Sequence, residues 1–328
     1  MSGVKSIEVA ADEQDIRLDR WFKRHYPELP HARLQKLLRT GQVRIDGKRA
    51  KGNFRLKAGQ SVRVPPMDDG ERPTAASRPP PKALDADETE ALLSSVIHQD
   101  DHVIVINKPS GLAVQGGSKV RKHIDAMLDA FIPGGGERPK LAHRLDKDTS
   151  GILVLGRTAS ATARLAEAFR YKEAQKLYWA VVVGAPRPSK GRIDLALSKR
   201  PGPGGERMAP DGTAGKPAIT DYRIIEKAGR KIAWLALRPR TGRTHQLRAH
   251  CLALGTPILG DGKFGGSTSF LAGFPKKLHL HARALRIPHP AGGVLEVAAP
   301  IPAHMRETWE MLDFDEDYVE AGFFDEDD

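Results

Sequence analysis

His143-Arg144-Leu145-Asp146-Lys147-Asp148-Thr149-Ser150-Gly151 runs without a break into Ile152-Leu153-Val154-Leu155. The first part is dense in ionisable and hydroxyl side chains, and the second is an apolar run of the length of a buried strand. Functional groups on a loop held by a rigid strand are a common way to build a site. A charged turn, with Asp148 or Ser150 satisfying local backbone donors, fits these residues equally well. Outward from this stretch, Val103–Ile106, Leu177–Val183, Ile219–Ile225 and Ile232–Leu237 read as further strands, with Ala159–Tyr171 and Thr244–Leu254 as helices. Strands and helices do not alternate strictly, so a doubly wound parallel sheet is disfavoured. The pattern predicts an α+β domain on a large mixed or antiparallel sheet. Pro201–Gly215, rich in Gly and Pro, reads as a surface loop.

Two more clusters carry chemistry. In Arg238-Pro239-Arg240-Thr241-Gly242-Arg243-Thr244-His245-Gln246-Leu247-Arg248-Ala249-His250, Thr241 or Thr244 is placed to cap a helix whose early turns expose Arg243, His245 and Arg248. Guanidinium groups beside a helix N-terminus suit a phosphate or a carboxylate. A metal site fits poorly, because His245 and His250 are not at the i, i+4 spacing of a two-ligand helix face. His279 and His281 would share a strand face but have no third ligand nearby in sequence. In Lys176-Leu177-Tyr178-Trp179, alternation sets Tyr178 on the face opposite Leu177 and Trp179. Such a tyrosine is either core or a ring on which a base stacks.

Ahead of these lies a smaller module over residues 16–64. Ile16, Leu18, Trp21, Phe22 and Tyr26 give helical spacing stopped by Pro27, and Ala32–Arg39 predicts a second helix stopped by Gly41. Val43 and Ile45 lead into the turn Asp46-Gly47, and Ser61–Val64 reads as a closing strand. Residues 1–15 read as an extension and 65–90 as a linker, with six prolines between 65 and 81. Residues 91–312 then form the large domain and 313–328 an acidic, frayed tail.

Charge points to the partner. Net charge is +11, and residues 17–63 alone hold 14 Lys/Arg against 3 Asp/Glu. Arg33, Lys36, Arg39, Arg44, Lys48, Arg49 and Lys51 cluster around the second helix and the hairpin, which suits RNA better than a merely solvated face. From Asp313 to Asp328 there are 9 acidic residues and no Lys or Arg, so the middle of the chain is basic too. Cys251 is the only cysteine, which leaves no disulfide framework and no thiolate cage. With a polar N-terminus and no long apolar run, a soluble cytoplasmic protein is expected.

The motifs around Asp146 and Tyr178, together with Gly215-Lys216-Pro217-Ala218, Thr241–Arg248 and Gly255-Thr256-Pro257-Ile258-Leu259-Gly260-Asp261, resemble the RluA/RluC/RluD family of RNA pseudouridine synthases. The likeness spans roughly residues 95 to 305. Asn107-Lys108-Pro109-Ser110-Gly111-Leu112-Ala113-Val114-Gln115-Gly116-Gly117-Ser118 is most similar to the RluC branch, which modifies 23S ribosomal RNA. Arg17-Leu18-Asp19, Leu34–Leu38 and Gly41–Gly47 resemble the small RNA-binding domain of ribosomal protein S-four, which often precedes this catalytic domain. The resemblance implies that Asp146 is the catalytic aspartate, Arg248 its cationic partner and Tyr178 the ring that stacks on uracil and helps remove the C5 proton. It places His143, Arg144, Arg243, His245 and Gln246 at the flipped nucleotide, with Arg144 filling the vacated space. No metal or organic cofactor is implied. The partner would be 23S ribosomal RNA or a large-subunit assembly intermediate, with no membrane and no obligate protein partner. Competing readings are the same chemistry on transfer RNA, a non-catalytic ribosome-assembly protein, and an RNA hydrolase using His143, His245 or His250.

Overall fold

The computed structural model describes residues 4–66, 86–116, 120, 122–132, 136–202, 207–316 and 318, and divides into Met1–Pro80 and Pro81–Asp328. The first unit holds β1 (Lys5–Glu8), α1 (Leu18–His25), α2 (His31–Arg39), β2 (Arg44–Ile45), β3 (Lys48–Arg49) and β4 (Ser61–Val64). Leu18, Trp21, Phe22, Leu34, Leu38 and Val62 build its core, the apolar positions that the helical and alternating spacings select.

The extension expected over 1–15 is corrected. β1 pairs antiparallel with β4, from Lys5 opposite Val64 to Glu8 opposite Ser61. This edge strand is held by backbone bonds, and Ile7 is its one half-buried side chain, so it leaves little apolar signal. Glu13 is buried and accepts the Trp21 Nε1 proton at 2.8 Å, tying the segment to α1. Burial opposes the charge of Glu13, but its bonds from His25 and Trp21 prevail and hold its carboxyl below the usual range.

Most of the linker lies outside the described residues, but its end, from Ala86, already belongs to α3 (Ala86–Leu93). After α3 come β5 (Val96–Gln99), β6 (Val103–Lys108), α4 (Ile124–Met127), β7 (Lys140–Leu141), β8 (Ser150–Gly156), α5 (Ala159–Arg170) and β9 (Gln175–Val183). They are followed by β10 (Lys190–Asp194), β11 (Leu197–Arg200), β12 (Arg207–Pro210), β13 (Ile219–Ala228), β14 (Ile232–Pro239) and α6 (Gln246–Ala253). The chain closes with β15 (Leu280–Pro288), β16 (Val294–Ala298) and α7 (Ala303–Leu312). The main sheet has ten strands in the order β10-β13-β14-β9-β15-β8-β6-β5, with β16 on β15 and β7 on β8.

This is the α+β architecture on a mixed sheet that the pattern predicts. Within this sheet β15 pairs in parallel with β8, His281 facing Ser150 and Ala282 facing Gly151. Gly151 has φ +104°, and a Cβ there would strike the Ala282 backbone, so glycine is required where the Asp146 loop enters the sheet.

Two further expectations change. The Gly/Pro-rich stretch is not wholly loop, because β12 pairs with β11 and Met208 packs on a small core of Leu197, Ala218, Ala249 and Phe264. The tail is not frayed from Asp313 onward. Phe314 is buried, 5.7 Å from both Trp234 and Trp309, and Glu316 pairs with Arg306. The described residues include no helix long and apolar enough to cross a membrane.

Candidate active site

The loop between β7 and β8 presents Asp146 to a cavity of about 340 Å³. Tyr178 of β9, Arg144, Lys176, Pro239, the segment Thr241 to Arg248 and Leu280 line the same space. Its size falls at the small end of the 300–1,000 Å³ range usual for ligand pockets. Alternation along β9 works as expected. Leu177 and Trp179 enter the tryptophan-rich core under α7, while Tyr178 packs on the opposite cores and lines the cavity. Burial, then the nearby Asp146 charge, pushes the Tyr178 hydroxyl well above its ordinary range, so it is protonated at neutral pH.

The loop that carries Asp146 is strapped from beneath. Lys108, at the end of β6, is 0 % exposed and donates to the carbonyls of Pro109, Leu112 and Lys147 at 2.8, 2.9 and 2.9 Å. Three acceptors match the three protons of an ammonium, whereas a neutral amine would leave one acceptor unpaired. Burial pulls its pKa down to about 7, opposed by Asp148 and Asp146. Ser110 Oγ also donates to the Asp148 carbonyl at 2.7 Å, and Gly111 N to that of Lys147 at 3.0 Å. Sequence reasoning missed Lys108, although a lysine ending the apolar run Val103–Ile106 was a signal.

Arg248 on α6 is buried, and its charge is answered by a residue given no role from the sequence. Its Nε and Nη2 donate to Asp261 Oδ2 and Oδ1 at 2.8 and 2.6 Å, with 5 % and 1 % of the two side chains exposed. The guanidinium lies 5.0 Å from the centre of the Phe264 ring. Burial works against its charge, but the Asp261 bonds, aided by Asp146 and Asp148, hold its pKa above the usual value. Among the described residues no direct ion pair joins Arg248 to Asp146. The ion pair of Arg248 is with Asp261, and Asp146 is a nearby negative charge.

Beside Asp146 stands His245, whose Nε2 lies 3.9 Å from Oδ1. His245 is the N-cap of α6 in the left-handed region, φ 53°, and no side-chain hydrogen bond caps the helix there, so the expected Thr241 or Thr244 cap is corrected. Burial lowers the His245 pKa, and the Asp146 charge opposes that effect.

The RNA pseudouridylate synthase family model matches residues 102–253. The chain is 34 % identical over 316 residues to ribosomal large subunit pseudouridine synthase C of Salmonella typhi, covering 94 % of this chain and 97 % of that protein. The protein of the same name from Escherichia coli strain K12 matches to the same extent. The chain belongs to the RluA/RluC/RluD family of RNA pseudouridine synthases. Among solved structures, human RNA pseudouridylate synthase domain containing 4 superposes with TM-score 0.57 at 30 % identity, covering 69 % of this chain and 95 % of that one.

Within this synthase, the other sequence-predicted residues separate. Arg144 is exposed at the cavity, and Arg243 lines it while donating to the Pro217 carbonyl at 3.1 Å. Gln246 also borders it, but its amide is engaged by protein. Oε1 accepts from Thr241 Oγ1 and Arg243 N at 2.7 and 3.1 Å, and Nε2 donates to Ile219 O and Thr220 Oγ1, both at 2.9 Å. It shapes the loop rather than offering a hand to a base.

His143 stacks on Phe169 at 4.2 Å, and its Nε2 accepts from Val154 N at 2.9 Å, with burial pushing its pKa to about 3. His250 is 0 % exposed and lies against Thr220 Oγ1 and Leu195 O at 2.9 and 3.3 Å. Both rings are thus committed to protein groups, and of the three histidines in the hydrolase reading His245 is the one beside Asp146.

His279 and His281 are bound into the core by Thr308 Oγ1 and Ser150 Oγ at 2.8 and 2.9 Å. No group of three metal-binding side chains converges among the described residues. On the small unit, Arg33, Lys36, Arg39, Lys48, Arg49 and Lys51 are exposed as expected. Arg44 is half-buried and donates to the Gly41 and Gly47 carbonyls, both at 3.1 Å, so it braces the hairpin.

Proposed function

We propose that this synthase converts uridines of 23S ribosomal RNA to pseudouridine, with Asp146 as the catalytic carboxylate, Tyr178 as the base-stacking ring and Arg248 as the supporting cation. One observation carries the residue assignment: Asp146, Tyr178 and Arg248, far apart in sequence, line a single cavity of about 340 Å³. The choice of ribosomal RNA is supported by full-length similarity to proteins named ribosomal large subunit pseudouridine synthase C.

In the reaction the bond from N1 to C1′ breaks, the uracil turns, and a bond from C5 to C1′ forms. The C5 proton leaves and N1 is protonated, so there is no net redox change. The target must leave its stack to expose both atoms, and Arg144 at the cavity is placed to brace the gap. The small unit, with its exposed lysines and arginines, holds the RNA.

The test uses 23S ribosomal RNA transcribed in vitro with tritium at C5 of uridine. Wild type releases label and Asp146→Asn releases none. Absence of release by the wild type from this RNA, with release from transfer RNA instead, would reassign the substrate. Absence from both overturns the reading.

A further inference from the structure

Lys176 is the one lysine lining the catalytic cavity among the described residues, and the mechanism above does not use it. It lies on β9 two residues before Tyr178, on the same face, with Leu177 between them turned into the opposite core. Its side chain is half-buried, and no carboxylate pairs with it among the described residues. Its charged surroundings are unfavourable. Burial lowers its pKa and Lys172 adds repulsion. The ring it approaches, His143, is held neutral by burial and by Lys176 itself, and its Nε2 is occupied by Val154 N. Arg144, the other cation at this end of the cavity, adds no negative charge.

An unpaired, partly desolvated ammonium costs free energy. At this cavity the fold avoids that cost by pairing Arg248 with Asp261, and beneath the Asp146 loop it does so by engaging Lys108 with three carbonyls. Lys176 has neither kind of partner, so its counter-charge comes with the substrate. Side chains two apart on a strand face are separated by about 7 Å along it. That is the scale of the reach from a nucleobase to the backbone phosphate of its own nucleotide.

We propose that Lys176 forms a phosphate subsite, binding a backbone phosphate that adjoins the flipped uridine while Tyr178 stacks on its base. The inference rests on the functional reading above. It makes Lys176 a binding residue, and its contribution is electrostatic.

The experiment measures binding of the same 23S transcript by the full chain as a function of salt, alongside tritium release. Lys176→Met keeps the apolar stem and removes the charge, Lys176→Gln is a second neutral variant, and Lys176→Arg retains the charge. A lost phosphate contact lowers the slope of log K against log salt by about 0.7 to 0.9. It weakens binding roughly ten-fold or more at low salt. The loss falls mainly in KM, and Lys176→Arg restores most of the slope. A slope equal to that of the wild type in either neutral variant overturns the subsite, as does a neutral variant whose only defect is a lower unfolding midpoint. If wild type itself releases no tritium, the function fails instead, and the two failures are separable because binding and release are read independently.

Discussion

Asp261→Asn is the sharpest test of how the site is held together. The substitution keeps the side-chain volume but removes the charge opposite Arg248, in a pair whose partners are 5 % and 1 % exposed. Removing one member of a buried ion pair costs about 3–5 kcal/mol, because the remaining charge stays buried without compensation. Asp261 Oδ1 also accepts from Phe264 N at 3.1 Å, a bond that asparagine can keep, so the lower end of that range applies. For a unit of this size, about 3 kcal/mol corresponds to a fall of roughly 6–12 °C in the unfolding midpoint.

The second arm is Arg248→Met with Asp261→Leu together. Replacing a buried pair by apolar residues of similar volume is commonly neutral or stabilising by about 1–4 kcal/mol, so the double variant recovers most of the midpoint. Activity does not follow stability. Asp261→Asn frees the guanidinium to swing toward Asp146, and a misplacement of about 1 Å costs on the order of 10²-fold in rate. The double variant stays inactive although it is stable. Thermal unfolding followed by the fluorescence of Trp179, Trp234 and Trp309, with tritium release in parallel, reads both quantities. A loss below about 1 kcal/mol in Asp261→Asn, or wild-type turnover in it, refutes the claim that Asp261 holds Arg248 in place.

Three further outcomes are expected. Tyr178→Phe keeps the stacking ring and loses the hydroxyl, so kcat falls by roughly 10²-fold or more while KM changes little; unchanged kcat in the tritium assay removes Tyr178 from the proton-removal step. His279 and His281, fully buried, are pushed by burial from 6.5 to about 4 and about 3. The unfolded chain therefore binds more protons than the folded one below pH 6.5, so stability is complete above that pH and drains as pH falls toward 4 and 3, by several kcal/mol in order of magnitude. Chemical denaturation at pH 7 and pH 4.5 checks this, and His279→Gln should flatten the dependence; Asp100, held at about 2, contributes only at lower pH. Deleting residues 1–64 raises KM for ribosomal RNA and flattens its salt dependence, while kcat at saturating RNA stays close to that of the full chain; loss of turnover at saturation contradicts an accessory role.

What the sequence disclosed follows from how far apart the interacting groups lie. The placement of Asp146 and Tyr178 was legible because each sits in a local pattern, a polar loop entering an apolar strand and an alternation with Leu177 and Trp179. β15 was legible only as the strand face shared by His279 and His281, although it lies between β9 and β8 in the middle of the sheet. Its Leu280-His281-Ala282-Arg283-Ala284 has no apolar run, because His281 is bonded to Ser150 Oγ and Arg283 donates to the Ala299 carbonyl. Its polar residues are satisfied by partners that only the fold brings near. β1 was missed for the opposite reason, being an edge strand that buries almost nothing.

The site divides along the same line. Lys108 acts on a carbonyl 39 residues away and Arg248 on a carboxylate 13 residues away. Neither partnership has a local signature, yet together they fix the loop that carries Asp146 and the cation beside it. Lys176 stands out only against that background. Once Arg248 at the cavity and Lys108 beneath its loop are seen to be matched by protein groups, a lysine that is not matched points to the charge the substrate brings.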